Sequence, residues 1–82
     1  MKEEVIKLVG DKLNDLNLVI DDVIYGQEEG QNVLNIVLDS DEVIDIDKIV
    51  MATKIIDPII DESDLIKEKY VLDIYGKSKG DE

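Results

Sequence analysis

The sequence predicts one two-layer α+β domain: a three-stranded mixed sheet with two helices on one face. Three observations predict it. Two segments carry apolar residues at three- and four-residue steps, the period of a helix. Three others alternate in the two-residue period of a strand, and the five segments follow in the order helix, strand, strand, helix, strand. The chain has 82 residues, 44% of them apolar. That is enough for one thin core and too much for an acidic disordered tail.

Val5, Ile6, Val9, Leu13 and Leu16 form one apolar stripe, with Leu8 at its margin, and predict a helix over 3–15. Gly10 weakens it by up to about 1 kcal/mol unless close packing explains the residue. Leu18–Tyr25 is rich in β-branched residues and reads as a strand. Its alternative faces are Leu18, Ile20, Ile24 and Val19, Val23, Tyr25, and the pattern does not choose between them. The polar segment 26–32, with two glycines, reads as a hairpin loop. In the return strand Leu34, Ile36 and Leu38 point inward, while Val33, Asn35 and Val37 face a wetter side.

Asp45 is placed to cap a second helix, and Asp47 lies near its positive end. Ile46, Ile49, Val50, Thr53, Ile56 and Ile60 form its inward stripe, and Pro58 is expected to kink or end it. Residues 61–69 read as a polar connector. Tyr70–Tyr75 is the third strand, with Tyr70, Leu72 and Ile74 on one face. The crossover from second to third strand through the helix should be right-handed, and the third strand can join either edge of the hairpin. The domain is expected to span 1–75, with 76–82 as a flexible tail or shortened linker.

Composition restricts function. Asp and Glu number 21 against nine basic residues, all Lys, with no His, for a formal charge of -12. Such a surface repels phosphate backbones and anionic lipid and favours a basic partner. The absence of Arg removes the best bidentate grip on phosphate. No Cys is present, which excludes thiolate chemistry and disulfides and makes an intracellular, cytoplasmic site the expectation.

Catalytic and metal-binding patterns fail on inspection. An EF-hand loop beginning at Asp39 needs an oxygen ligand, a glycine and a glutamate where the chain has Val43, Ile44 and Val50. Asp39, Asp41, Asp45 and Asp47 are better explained as turn and cap residues. Asp21 and Asp22 are adjacent in a strand, so they cannot converge on one proton-transfer site. Ser40, Thr53, Ser63 and Ser78 have no His to activate them. Gly26–Gly30 carries two acids and lacks the Lys-Ser or Lys-Thr and the following helix of a phosphate-binding loop. Gly76-Lys77-Ser78 lacks the upstream glycine. The expectation is a non-enzyme without metal or cofactor.

Candidate partner-binding residues are Tyr25, Tyr70 and Tyr75, since Tyr is favoured at interfaces, together with Lys67, Lys69 and Lys77. With Lys79 these lysines are the only basic grouping, and Glu68 and Asp73 interrupt it.

The chain as a whole resembles the N-terminal domain of the bacterial ribosome maturation factor RimP family. Asp22-Val23-Ile24-Tyr25 resembles that family's Asp-Val-Glu-Tyr strand end. Asn32–Asp39 resembles its second strand, which typically ends in Ile-Asp. Asp45-Ile46-Asp47-Lys48-Ile49 occupies the place of its second helix start, and Thr53-Lys54 stands at its usual Ser-Arg. Tyr70-Val71-Leu72-Asp73-Ile74 resembles its Tyr-Thr-Leu-Glu-Val strand, without a gap from Asp45 to Ile74. The family's Ser-Ser-Pro-Gly after the third strand is replaced by Tyr75-Gly76-Lys77-Ser78, and its SH3-like second domain is missing from these 82 residues. The resemblance implies a non-enzymatic role in maturation of the small (30S) ribosomal subunit, through contact with a basic ribosomal protein. Two alternatives stay open: a small RNA-binding domain using the lysine grouping, and a protein-binding module unrelated to ribosomes. A monomer, or a weak homodimer through a free strand edge, is the expected state.

Overall fold

The computed structural model describes residues 1–77, so the expected tail beyond Lys77, including Ser78 and Lys79, lies outside the described residues. The elements are α1 (Lys2–Val9), a 3₁₀ segment (Gly10–Leu16), β1 (Val19–Glu28), β2 (Gln31–Asp39), α2 (Ile46–Ser63) and β3 (Val71–Gly76). The sheet order is β1-β2-β3, with β1 antiparallel and β3 parallel to β2. The third strand thus joins the β2 side of the hairpin. The helix–strand–strand–helix–strand architecture is as the sequence predicts.

The core gathers one face of each element. Val5, Val9 and Leu13 from the N-terminal segment and Ala52, Ile56 and Ile60 from α2 cover Leu34, Ile36 and Leu38 of β2 and Ile74 of β3. All three β2 leucine and isoleucine side chains are fully buried, and Ile49 and Leu72 pack at the margin.

Several local expectations need correction. The first helix is not a single α-helix over 3–15. It tightens into the 3₁₀ segment at Gly10, where an added Cβ would meet Ile6 Cγ2 at 3.3 Å. Val5 and Val9, four apart, are the buried residues of α1, Ile6 beside them is exposed, and Leu13 in the 3₁₀ segment is fully buried. The segment stops at Asn17, which takes a left-handed conformation at φ 60°.

The loop expected over 26–32 is mostly strand. Only Glu29 and Gly30 turn the chain, with φ of 53° and 83°. Positive φ at both central positions suits the right-handed twist of a two-residue hairpin. Within β1 the pairing steps from Ile20↔Leu38 to Asp22↔Val37, so Asp21 is an extra, bulged residue. The bulge resets parity. Ile20 lies opposite Leu38, and Val23 lies opposite Ile36, so both face inward from positions three apart. Val19 and Ile24 are left on the outer face. A strict two-residue alternation has no place for that assignment.

The outer face of β2 is also less wet than expected. Val33, Asn35 and Val37 are only 7–8% exposed, because side chains of the two flanking strands screen them. Asn35 adds a hydrogen bond from Nδ2 to Glu28 Oε2 at 3.3 Å.

Asp45 caps α2 as predicted: its Oδ1 accepts from the Lys48 N–H at 3.0 Å. Replacing Asp45 with Ala should cost about 1 kcal/mol, read as a lower midpoint with unchanged slope in chemical denaturation. An unchanged midpoint would contradict the capping role. The inward stripe is shifted from expectation: Ala52 is fully buried, whereas Ile46 and Val50 are exposed. Pro58 does not end the helix, which runs to Ser63. The proline removes the donor to the Lys54 carbonyl, but both residues lie on the exposed side, where water can serve that oxygen. Ser63 Oγ donates to Ile60 O at 2.7 Å and accepts from the Leu65 N–H, which closes the last turn. The following connector is not merely polar, since Leu65 and Ile66 pack against the core. β3 begins at Val71 rather than Tyr70. It extends through Gly76, beyond the expected end at Tyr75, and Lys77 N–H still donates to Leu38 O at 2.7 Å.

Candidate partner-binding site

The strand register separates the three tyrosines. Tyr25 lies opposite Leu34, on the helix-covered face. Its hydroxyl donates to Glu68 Oε2 at 2.8 Å, tying β1 to the connector before β3. Tyr70 precedes β3 and packs, half-buried, against the core. Tyr75 lies opposite Val37 and is exposed on the outer face. No common platform results.

The lysines separate too. Lys67 and Lys69 precede β3, and Lys77 follows it. Six strand residues lie between, a span of roughly 20 Å at the rise of a β-strand. Lys67 Nζ sits 3.3 Å from Asp64 Oδ2, and Lys77 Nζ sits 3.3 Å from Asp21 Oδ1. The Lys69 carbonyl accepts from Asn32 Nδ2 at 3.0 Å. Lys69 and Tyr70 line a shallow cleft with Gly30, Gln31, Asn32 and Val71 at the hairpin end. Lys79 lies outside the described residues.

The hydroxyls of Tyr25 and Tyr70 sit in environments that favour the protonated form. Desolvation is the leading cause for both. The hydrogen bond to Glu68 adds to it at Tyr25, and the charges of Asp57 and Asp61 add to it at Tyr70, so both pKa values rise above 10.0. A raised folded value means that the associated stability is complete below the unfolded pKa and is lost as pH rises through the folded one. Tyrosinate absorbance against pH should show Tyr25 ionising at lower pH in Glu68→Gln than in the wild type. An unchanged titration would contradict the hydrogen bond.

One polar cluster escaped sequence reasoning. Asn17 Nδ2 donates to Asp41 Oδ1 at 2.8 Å and Glu42 Oε2 at 2.9 Å, and Glu42 Oε1 meets Lys48 Nζ at 2.9 Å. The hydrogen bond from Lys48, then that from Asn17, lowers the Glu42 pKa. The acids after β2 thus fasten the 3₁₀ segment to the start of α2. Only an asparagine after a helical segment hinted at it, through its tolerance of left-handed backbone. Among the described residues no three acidic groups converge to hold a metal ion, and no helix is long and apolar enough to cross a membrane.

The described residues thus form a two-layer α+β domain whose polar side chains link its own segments. The family model of the RimP N-terminal domain matches residues 8–76. The chain belongs to that family, a non-enzymatic one associated with ribosome maturation.

Proposed function

We propose that this domain assists assembly of the small (30S) ribosomal subunit in the bacterial cytoplasm by contacting a basic ribosomal protein. The match to the RimP N-terminal domain over residues 8–76 carries the reading. Charge supports a protein partner: the chain bears -12, and each neutralised phosphate needs a cation that this surface rarely offers. The separation of Lys69 from Lys77, and the carboxylates beside Lys67 and Lys77, argue against one continuous basic track for RNA. The test titrates the 82-residue chain against individually purified small-subunit proteins and against protein-free ribosomal RNA, at physiological salt. Micromolar binding to a basic protein, with no comparable binding to RNA, is expected. Micromolar RNA binding that is lost when Lys67, Lys69, Lys77 and Lys79 are neutralised would overturn the reading.

A further inference from the structure

We propose that the outer face of the sheet, opposite the helices, is the docking surface, and that its occupant is a cationic protein segment bearing apolar side chains. This inference rests on the protein-partner reading above and gives it a location.

The strand register defines the face in rows. Asp22, Val37 and Tyr75 form one row, Ile24, Asn35 and Asp73 the next, and Gly26, Val33 and Val71 a third. In all three rows the residues of the flanking strands are exposed, while Val33, Asn35 and Val37 of the central strand are screened between them. Val19, Ile24, Val71 and Tyr75 are 58, 50, 46 and 41% exposed, although all are apolar or aromatic. Scattered exposed apolar residues are ordinary, but these share one surface of one sheet. At Gly26, paired with Val33, the surface is open: an added Cβ would meet nothing within 4 Å.

Charge selects the occupant. Asp22 and Asp73 stand on opposite flanking strands, two strand spacings across and two residues along, about 12 Å apart. Glu28 lies toward the hairpin end, and the three strands contain no lysine. An exposed apolar surface bordered by carboxylates matches a segment with apolar residues at its centre and Lys or Arg on its flanks. It disfavours a second copy of this chain, which would set Asp22, Glu28 and Asp73 against like charges. Nucleic acid and anionic lipid are disfavoured for the same reason.

Gly26 offers a clean variant. Its backbone is outside the left-handed region and space above it is open, so Gly26→Lys occupies that space and adds a like charge for a cationic partner without disturbing the core. Met51→Lys, on the exposed side of α2, is the control. Both are first shown to keep the wild-type melting temperature. Amide chemical shifts of the labelled 82-residue chain are then followed as each purified basic small-subunit protein is added. The proposal expects shifts grouped at Ile24, Val33, Val71 and Tyr75. It also expects about tenfold weaker binding by Gly26→Lys, and less than about a twofold change for Met51→Lys. Binding that shifts the helices instead, with Gly26→Lys unaffected, overturns this surface and leaves the protein-partner reading standing. Outer-face shifts produced by concentrating the protein alone identify a second copy as occupant and overturn the proposal. Failure of every basic protein to bind overturns it too, and co-sedimentation of the wild type with assembling particles then judges the functional reading separately.

Discussion

Ile36→Asp should leave the domain largely unfolded at room temperature. Ile36 is fully buried at the middle of the central strand, opposite Val23 on one side and Ile74 on the other. The substitution removes a packed side chain, worth about 2–5 kcal/mol. It also puts a carboxylate where no described cation reaches, adding several kcal/mol or forcing protonation. Small domains hold about 5–15 kcal/mol in total, so the sum consumes most of that margin. Ile24→Asp is the matched control, one residue type on the opposite face and 50% exposed. It should cost less than about 1 kcal/mol. Thermal melting by circular dichroism separates the two. A near-native melt for Ile36→Asp would mean that the inward face has been assigned wrongly.

Leu13→Ala should be the costliest single truncation in the N-terminal segment, at about 2–5 kcal/mol. Leu13 is fully buried within the 3₁₀ segment and belongs to the core beside Val5 and Val9. Its backbone carbonyl accepts from the Leu18 N–H at 3.3 Å, a bond the substitution leaves in place, so the expected cost is that of the lost packing. Leu16, at the end of the same segment, is only partly buried. Leu16→Ala should therefore cost clearly less. Chemical denaturation of both variants checks this order. Equal small costs would show that the segment lies on the core without belonging to it.

The parts of this fold that were legible in the sequence are those where one physical rule acts alone. β2 lies between two strands and under two helices, so its alternation was undisturbed and named Leu34, Ile36 and Leu38 correctly. Asp45 announced the start of α2 by the chemistry of a cap. β1 was illegible in detail because one bulged residue, Asp21, shifts every later side chain to the other face. Gly26, Gln27 and Glu28 looked like a loop because their composition is polar, yet backbone pairing to β2 keeps them in the ladder. In the turn Glu29-Gly30 the first of the two positive φ values falls on a glutamate, a residue with weak turn preference, so nothing marked the tip within the expected loop.

The candidate site was less legible. Lys67, Lys69 and Lys77 are close in sequence, but an extended strand between them converts that closeness into distance. Tyr70 and Tyr75 differ by an odd number of positions, and the structure places them on opposite sides of the sheet. The exposed apolar residues of the outer face come from β1 and β3 and meet only through the register with β2, so no local pattern reveals them.

The measurement that most directly tests the account is co-sedimentation of the protein with immature and mature small ribosomal subunits at physiological salt. Family membership and an acidic surface together predict preferential association with the immature particle. Raising the salt should weaken that association, because opposite charges steer and hold the contact. Absence of association with the immature particle, or equal association with both, would contradict a role in maturation.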